Sequence, residues 1–108
     1  MQDLNTLFQN GLKLHQQGDI TNAKKIFEYI HNLYPNNFNL LFFLATSEAQ
    51  SKNINRAISL FNKALEVNSN SPDCHFNLGN ALKEQGQLDL ALDAYSNAIN
   101  LKYDYCDA

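Results

Sequence analysis

The amino-acid sequence repeats itself with a period of 34 residues, and this period limits the possible folds more than any other feature. Ala23, Ala57 and Ala91 recur at this spacing, and each precedes an aromatic residue by four positions. The first half of each period also holds a phenylalanine, namely Phe8, Phe42 and Phe76. A 34-residue period is typical of stacked helical hairpins, because one hairpin alone cannot bury its apolar face. The sequence therefore predicts three contiguous units, 4–37, 38–71 and 72–105.

Helix signals divide each unit into two helices and predict an all-α chain. In the third unit, Ser71 is a good N-cap and Pro72 a good first helical residue, and Gly86 can end that helix in a left-handed conformation. A second helix is expected from about Leu88 to Leu101. In the second unit Lys52 replaces the glycine of the turn, so we expect Asn53 to take the left-handed conformation instead.

Small residues recur in the middle of each first helix, at Gly11, Ala45 and Gly79. Glycine inside a helix costs roughly 0.5–1 kcal/mol relative to alanine, which points to a close approach of two helices. We expect the alanines of the second helices to be the facing surface. The aromatic residues Phe27, Phe61 and Tyr95 are then predicted to fill the space between neighbouring units.

The pattern resembles the tetratricopeptide repeat family. The third unit carries it best, as Asn77-Leu78-Gly79-Asn80-Ala81-Leu82 followed by Gly86, Ala91 and Tyr95. The first unit matches at Gly11, Gly18, Ala23, Phe27 and Pro35. The resemblance implies a right-handed α-solenoid of three helix-turn-helix repeats whose concave surface is lined by the first helices. The array is also similar to those that precede bacterial glycosyltransferase domains of the O-linked N-acetylglucosamine transferase type.

The resemblance implies that the concave surface binds a protein or peptide partner, since solenoids use such surfaces for recognition. The family's groove positions correspond to Asn5, Phe8, Gln9, Leu12, Asn39, Phe42, Phe43, Thr46, Asp73, Phe76, Asn77 and Asn80. Two interpretations of the repeating phenylalanines stay open: an apolar strip for the ligand, or rings that fold onto their neighbours and seal the inner wall. Because the inner positions of the first helices face open space, we expect these three rings to be less buried than Phe27, Phe61 and Tyr95. The family's clamp for the carboxylates of chaperone tails is not matched, because Asp73 has the wrong charge for it.

Composition and spacing argue against several other functions. The net charge is −3, which disfavours a general grip on nucleic-acid phosphates. The longest apolar run, Leu40 to Ala45, is too short to span a membrane. Cys74 and His75 are consecutive on a helix and point in different directions, so they cannot form a catalytic dyad. We expect no catalytic residue, no metal site and no cofactor, and two cysteines fit a cytoplasmic location.

The end of the sequence predicts a second contact surface. Residues 103–105 resemble the family's linker, and residues 106–108 the start of a fourth first helix, so we expect a fragment of a longer array. Nothing would then cover the last second helix, and we expect a self-association edge at Leu92, Tyr95 and Ile99. Three functions follow as hypotheses: a peptide-binding scaffold, the substrate-recruiting arm of a cytoplasmic transferase, and a self-assembly unit.

Overall fold

The computed structural model describes the backbone of residues 3–107 and the side chains of residues 3–102. The described residues form helices and connecting turns, without strands. The helices are α1 (Leu4–Gln16), α2 (Ile20–Leu33), α3 (Phe38–Gln50), α4 (Ile54–Val67), α5 (Pro72–Glu84) and α6 (Leu88–Asp107). Each helix packs against the next along the chain, and α5 also contacts α3. The fold is an all-α solenoid of stacked helical hairpins, as the sequence predicts.

Short polar side chains begin the helices where the sequence places them. The Ser71 hydroxyl accepts a hydrogen bond from the backbone N–H of Cys74 at 3.2 Å, and Pro72 starts α5. The Asn37 side chain accepts from the Leu40 N–H at 3.1 Å at the start of α3. Each bond satisfies a backbone donor that the first turn of a helix leaves without a partner.

The turn between the two helices of each unit requires a left-handed residue. Gly18 and Gly86 adopt the left-handed conformation, with φ of 86° and 89°. The equivalent residue of the second unit, Lys52, adopts it with φ of 69°. The expectation that Asn53 would replace the missing glycine was wrong, because Asn53 has φ of −87° and is the N-cap of α4. The position in the repeat sets the backbone conformation, so Lys52 adopts it despite its Cβ.

The core contains the small and aromatic residues that recur in the sequence, together with buried leucines of the same helices. Ala23, Ala57 and Phe27 are completely buried. The mid-helix glycines face these aromatic rings and not the alanines, which corrects our expectation. A Cβ on Gly11 would lie 2.7 Å from Cε1 of Phe27, and one on Gly79 would lie 2.6 Å from Cε1 of Tyr95. The large ring of the second helix therefore determines where the first helix must be small.

The junction between the first two units contains a buried carboxylate. Glu48 on α3 is 1% exposed, and its Oε1 lies 2.8 Å from Nζ of Lys24 on α2. The Arg56 guanidinium on α4 binds Oε2 of Glu48 and also pairs with Glu28, and Asn53 donates to Oε1 at 3.0 Å. These cations and the amide keep the pKa of Glu48 below its usual range although burial acts in the opposite direction. Three helices are thus joined through one charged side chain.

The last helix differs from the predicted arrangement. We expected it to end near Leu101, followed by a linker and a new helix from residue 106. Instead α6 continues through Asp107 as one helix of 20 residues, and Ala108 lies outside the described residues. Since no proline or glycine occurs between Leu101 and Asp107, nothing in the local sequence stops the helix.

None of the helices described is long and apolar enough to cross a membrane.

Candidate functional site on the first helices

The first helices of the three units, α1, α3 and α5, carry all the predicted groove residues. The polar members of this set lie on the surface: Asn5, Gln9, Asn39, Asp73 and Asn80 are exposed, and Thr46 and Asn77 are half-buried. The Thr46 hydroxyl donates to the backbone carbonyl of Phe42 at 2.8 Å, so its proton is already used within α3. The remaining polar groups supply carboxamide donors and acceptors and one carboxylate.

Two of the three repeating phenylalanines belong to an aromatic cluster inside the wall of the solenoid. Phe8 and Phe42 are half-buried, and Phe43 lies between them with ring centroids 5.8 Å and 5.3 Å away. The cluster continues to the buried rings of the second helices, since Phe27 is 5.9 Å from Phe8 and Phe61 is 6.1 Å from Phe42. For these two rings the contacts favour the sealing interpretation over the ligand strip.

Phe76 differs from its two equivalents because 52% of its surface is exposed. Its ring packs only against Tyr95 among the described aromatic pairs, at 5.5 Å between centroids. The Tyr95 hydroxyl donates to Oδ1 of Asn80 at 2.5 Å and fixes this amide beside the exposed ring. In each unit the phenylalanine of the first helix is more exposed than the aromatic residue of the second, which confirms that expectation.

Three open cavities lie along the first helices. One of about 430 Å³ brings together Asn5, Phe8, Gln9 and Asn39. A cavity of about 240 Å³ between α3 and α5 brings together Thr46, Asn77 and Asn80. The largest, about 660 Å³, is bordered by Asp73, Phe76 and Asn80 together with residues of α6. Leu12, Phe42 and Phe43 do not line these three cavities.

Sequence analysis missed several residues that line the cavities. Ile30 and Tyr34, near the end of α2, line the first cavity, although the family resemblance implied a surface lined by the first helices alone. Lys102 of α6 closes the largest cavity. For Tyr34 the sequence did contain a signal, namely the following Pro35. A proline there ends α2 and predicts that the chain turns towards α3 at Tyr34.

The predicted edge residues on α6 are incompletely covered, as expected. Leu92 is 62% exposed and Ile99 54%, and Tyr95 is half-buried. Their equivalents one unit earlier, Ile58 and Leu65, are half-buried because α5 packs against α4. The exposure on α6 therefore arises where a following helix would lie.

Two nucleophile candidates have no catalytic geometry. Cys74 is buried in the core, where burial raises the pKa of its thiol to about 12. His75, the next residue of the same helix, is half-buried, with Nε2 3.0 Å from the carbonyl oxygen of Ser69. A thiol that stays protonated at neutral pH is a poor nucleophile. Among the described residues, no group of three or more histidines, cysteines, aspartates and glutamates could hold a metal ion.

The comparison with protein families decides the assignment. The model of the family described as anaphase-promoting complex, cyclosome, subunit 3 matches residues 16–98, most of the chain. The chain belongs to this tetratricopeptide-repeat family.

Other tetratricopeptide-type proteins resemble the chain over most of its length. A UDP-N-acetylglucosamine–peptide N-acetylglucosaminyltransferase of Caenorhabditis elegans is 34% identical over 73 residues, which are 68% of this chain and 6% of that enzyme. The crystal structure of MamA superposes with a TM-score of 0.89 at 21% identity and covers 93% of this chain and 58% of MamA. PcrH in complex with the chaperone binding region of PopD gives 0.87 at 21% identity, over 91% and 74% of the two chains. The structural likenesses show the fold.

In this tetratricopeptide array, two histidines make the stability sensitive to pH. Nε2 of His15 and Nδ1 of His31 are buried without a hydrogen-bond partner. His31 is half-buried on α2. Burial lowers the pKa of both imidazoles below the ordinary value of 6.5, and nearby Lys63 lowers that of His31 further.

We therefore expect the chain to lose stability on mild acidification. The unfolded chain binds protons at these histidines more strongly than the folded chain, so the stabilisation is present above about pH 6.5 and lost below it. Urea unfolding at about pH 7.5 and 5.5 measures this loss. A double variant, His15→Gln with His31→Gln, should show a smaller loss, and an unchanged loss would contradict the assignment.

Proposed function

We propose that the chain is a non-catalytic scaffold that binds an extended peptide or a partner helix on the first-helix surface. The observation that carries the proposal is the half-exposed Phe76, which lines the largest cavity beside the fixed amide of Asn80. Asn80 also lines the cavity between α3 and α5. Helical-repeat arrays bind partners on such extended surfaces. At the largest cavity, an exposed aromatic ring thus lies beside an amide that is fixed by a hydrogen bond.

The chemistry of this surface fits a peptide better than a small charged ligand. Asn80 accepts the Tyr95 proton through Oδ1, so its NH₂ group keeps two donors for a peptide carbonyl. Two further carboxamides are available: that of Asn77 on α5 and that of Asn39 on α3. A peptide could therefore pair its backbone with the amides and place an apolar side chain against Phe76.

Phe8, Phe42 and Phe43 have a different role in this proposal. Their rings contact each other and the buried rings, so they support the wall below the ligand. The proposed contact residues are the remaining members of the predicted set: Asn5, Gln9, Leu12, Asn39, Thr46, Asp73, Phe76, Asn77 and Asn80. The complex of PcrH with the chaperone binding region of PopD is a precedent for peptide binding by this fold.

Selection of peptides tests the proposal. Panning a library of random 12-residue peptides against the folded chain should enrich binders that lose at least roughly tenfold in affinity when Phe76→Ala and Asn80→Ala are combined. Tyr29→Ala is the matched control, because Tyr29 is an exposed aromatic residue on α2, away from the first helices. Isothermal titration measures the affinities. Peptides that bind the double variant as well as the original chain would contradict the proposal.

A second candidate function is the substrate-recruiting arm of a glycosyltransferase-like enzyme in the cytoplasm. It is favoured by the 34% identity to part of a peptide N-acetylglucosaminyltransferase, of which this chain spans 6% of the length. Sequencing the gene beyond the codon for Ala108 tests this function. A catalytic transferase domain encoded there would support this function, whereas its absence would leave the plain scaffold.

A further inference from the structure

The cavity of about 430 Å³ lies where the first two units meet, and we call it the junction cavity. It is lined by α1, the end of α2 and the start of α3, so both units contribute to its walls. Its apolar wall includes Ile30, which is 6% exposed, and Leu40, which is 1% exposed. Leu4 and Phe8 are half-buried beside them. The volume lies in the range of ligand pockets, about 300–1,000 Å³.

The polar groups of the junction cavity are all neutral. None of the described residues that line it carries a charge. Three exposed carboxamides stand at its rim, on Asn5, Gln9 and Asn39, and the Tyr34 hydroxyl has no hydrogen-bond partner within residues 3–102. A charged side chain entering the cavity would lose water without gaining an opposite charge. The cavity therefore favours an uncharged group.

The second unit shows which group this position of the repeat accepts. Leu4 and Phe8 of the first unit correspond to Phe38 and Phe42. The Phe38 ring stacks on the Phe42 ring, with centroids 6.3 Å apart and an interplanar angle of 21°. Because Leu4 has no ring, Phe8 lacks this stacking partner, and Phe8 lines the junction cavity instead. The missing group is thus an aromatic ring.

We propose that the junction cavity binds an uncharged aromatic side chain, phenylalanine or tyrosine, of the peptide on the first-helix surface. The ring stacks on Phe8 in the way that Phe38 stacks on Phe42, against the buried apolar wall. The carboxamides at the rim pair with the peptide bonds on either side of that residue. This inference rests on the proposed function, since it assigns one residue of the bound peptide, and it adds a second anchor to the one at Phe76.

Titration with N-acetyl-phenylalaninamide tests the junction cavity without the rest of the peptide, and so without Phe76. In amide-resolved NMR spectra of the folded chain, we expect saturable shifts at the lining residues with a Kd in the millimolar range. N-acetyl-leucinamide should bind roughly fivefold more weakly, because it lacks the stacking between two rings. N-acetyl-lysinamide should bind at least roughly tenfold more weakly because of its charge. Equal binding of the three amides, shifts elsewhere, or no saturable shift would each overturn the proposal.

A variant that fills the junction cavity gives a second test. Leu4→Phe copies Phe38 and places the chain's own ring on Phe8, so it should weaken binding of N-acetyl-phenylalaninamide at least roughly tenfold. It should not lower the midpoint of thermal unfolding followed by circular dichroism, because the second unit already accommodates this ring. Leu90→Phe is the matched control, since it makes the same change at a half-exposed leucine of α6 outside the cavity. Undiminished binding to Leu4→Phe, or a lower midpoint, would overturn the proposal.

A peptide enriched against the folded chain separates this inference from the proposed function. Replacing its aromatic residue by alanine should cost at least roughly tenfold in affinity for the original chain and almost nothing for Leu4→Phe. An equal loss for both chains would show that the ring binds elsewhere, so the inference would fail while the scaffold function stands. If selection enriches no peptide, the proposed function fails, and the titration with the amides still decides whether the cavity takes an aromatic ring.

Discussion

Phe61→Ala is expected to lower the free energy of unfolding by about 3–5 kcal/mol, the range for removing a buried aromatic ring. Phe61 is 1% exposed, its ring contacts Phe42, and its backbone carbonyl lies 3.8 Å from Sγ of Cys74 on the next unit. The truncation leaves a cavity where two units meet. The surrounding helices could fill this cavity only by rigid-body shifts, so most of its energetic cost remains. Urea unfolding followed by circular dichroism measures the change.

Phe76→Ala is the matched control for this prediction. It removes the same ring, from a first helix and at a position that is half exposed, so the free energy of unfolding should fall by less than about 1 kcal/mol. Phe42→Ala should lie between the two, because Phe42 is half-buried within the aromatic cluster. If Phe76→Ala destabilises the chain as strongly as Phe61→Ala, the exposed ring is part of the core and the proposed binding surface loses its anchor.

Removing both cations beside Glu48 is expected to cost a similar amount. Lys24→Ile combined with Arg56→Leu leaves a buried carboxylate with the amide of Asn53 but without an opposite charge. A buried charge left without its partner destabilises by about 3–5 kcal/mol. Chemical denaturation at pH 7 measures this loss.

Adding Glu48→Leu to that variant should restore most of the stability. The three new residues are those that the next junction already contains, since Lys24, Glu48 and Arg56 correspond to Ile58, Leu82 and Leu90. Apolar replacements of a buried ion pair are often neutral or stabilising when they fit. A triple variant that is no more stable than the double variant would show that the ion pairs fix the packing of α2 against α3 and α4.

Loss of the Glu48 carboxylate charge should also appear in acid. Its pKa is held below the ordinary value of 4.5, so it stabilises the folded chain above that pH and stops doing so as the pH falls through its folded-state pKa. This window lies below that of His15 and His31, so the two contributions separate along a pH series.

The residues of the proposed binding surface could be aligned from the sequence because a repeat transfers information between units. Once Phe8, Phe42 and Phe76 are aligned, they share a helix and a face, and their order of exposure relative to the second-helix aromatics was predicted correctly. Their individual exposures were not predictable. They depend on neighbours, because Phe8 and Phe42 each have Phe43 beside them and Phe76 has Asn77 at the position equivalent to Phe43.

The sequence by itself determined the family, the all-α class, the starts of α5 and α6 and the glycine turns, because these depend on short-range capping and on a 34-residue period. Only the tertiary structure decided that Lys52 takes the left-handed turn and that Gly11 and Gly79 make room for aromatic rings. It also decided that Glu48 is a buried charge at a position where the equivalent residues are leucines. These features depend on which side chains of neighbouring helices share a volume, and a local pattern in the sequence does not contain that information.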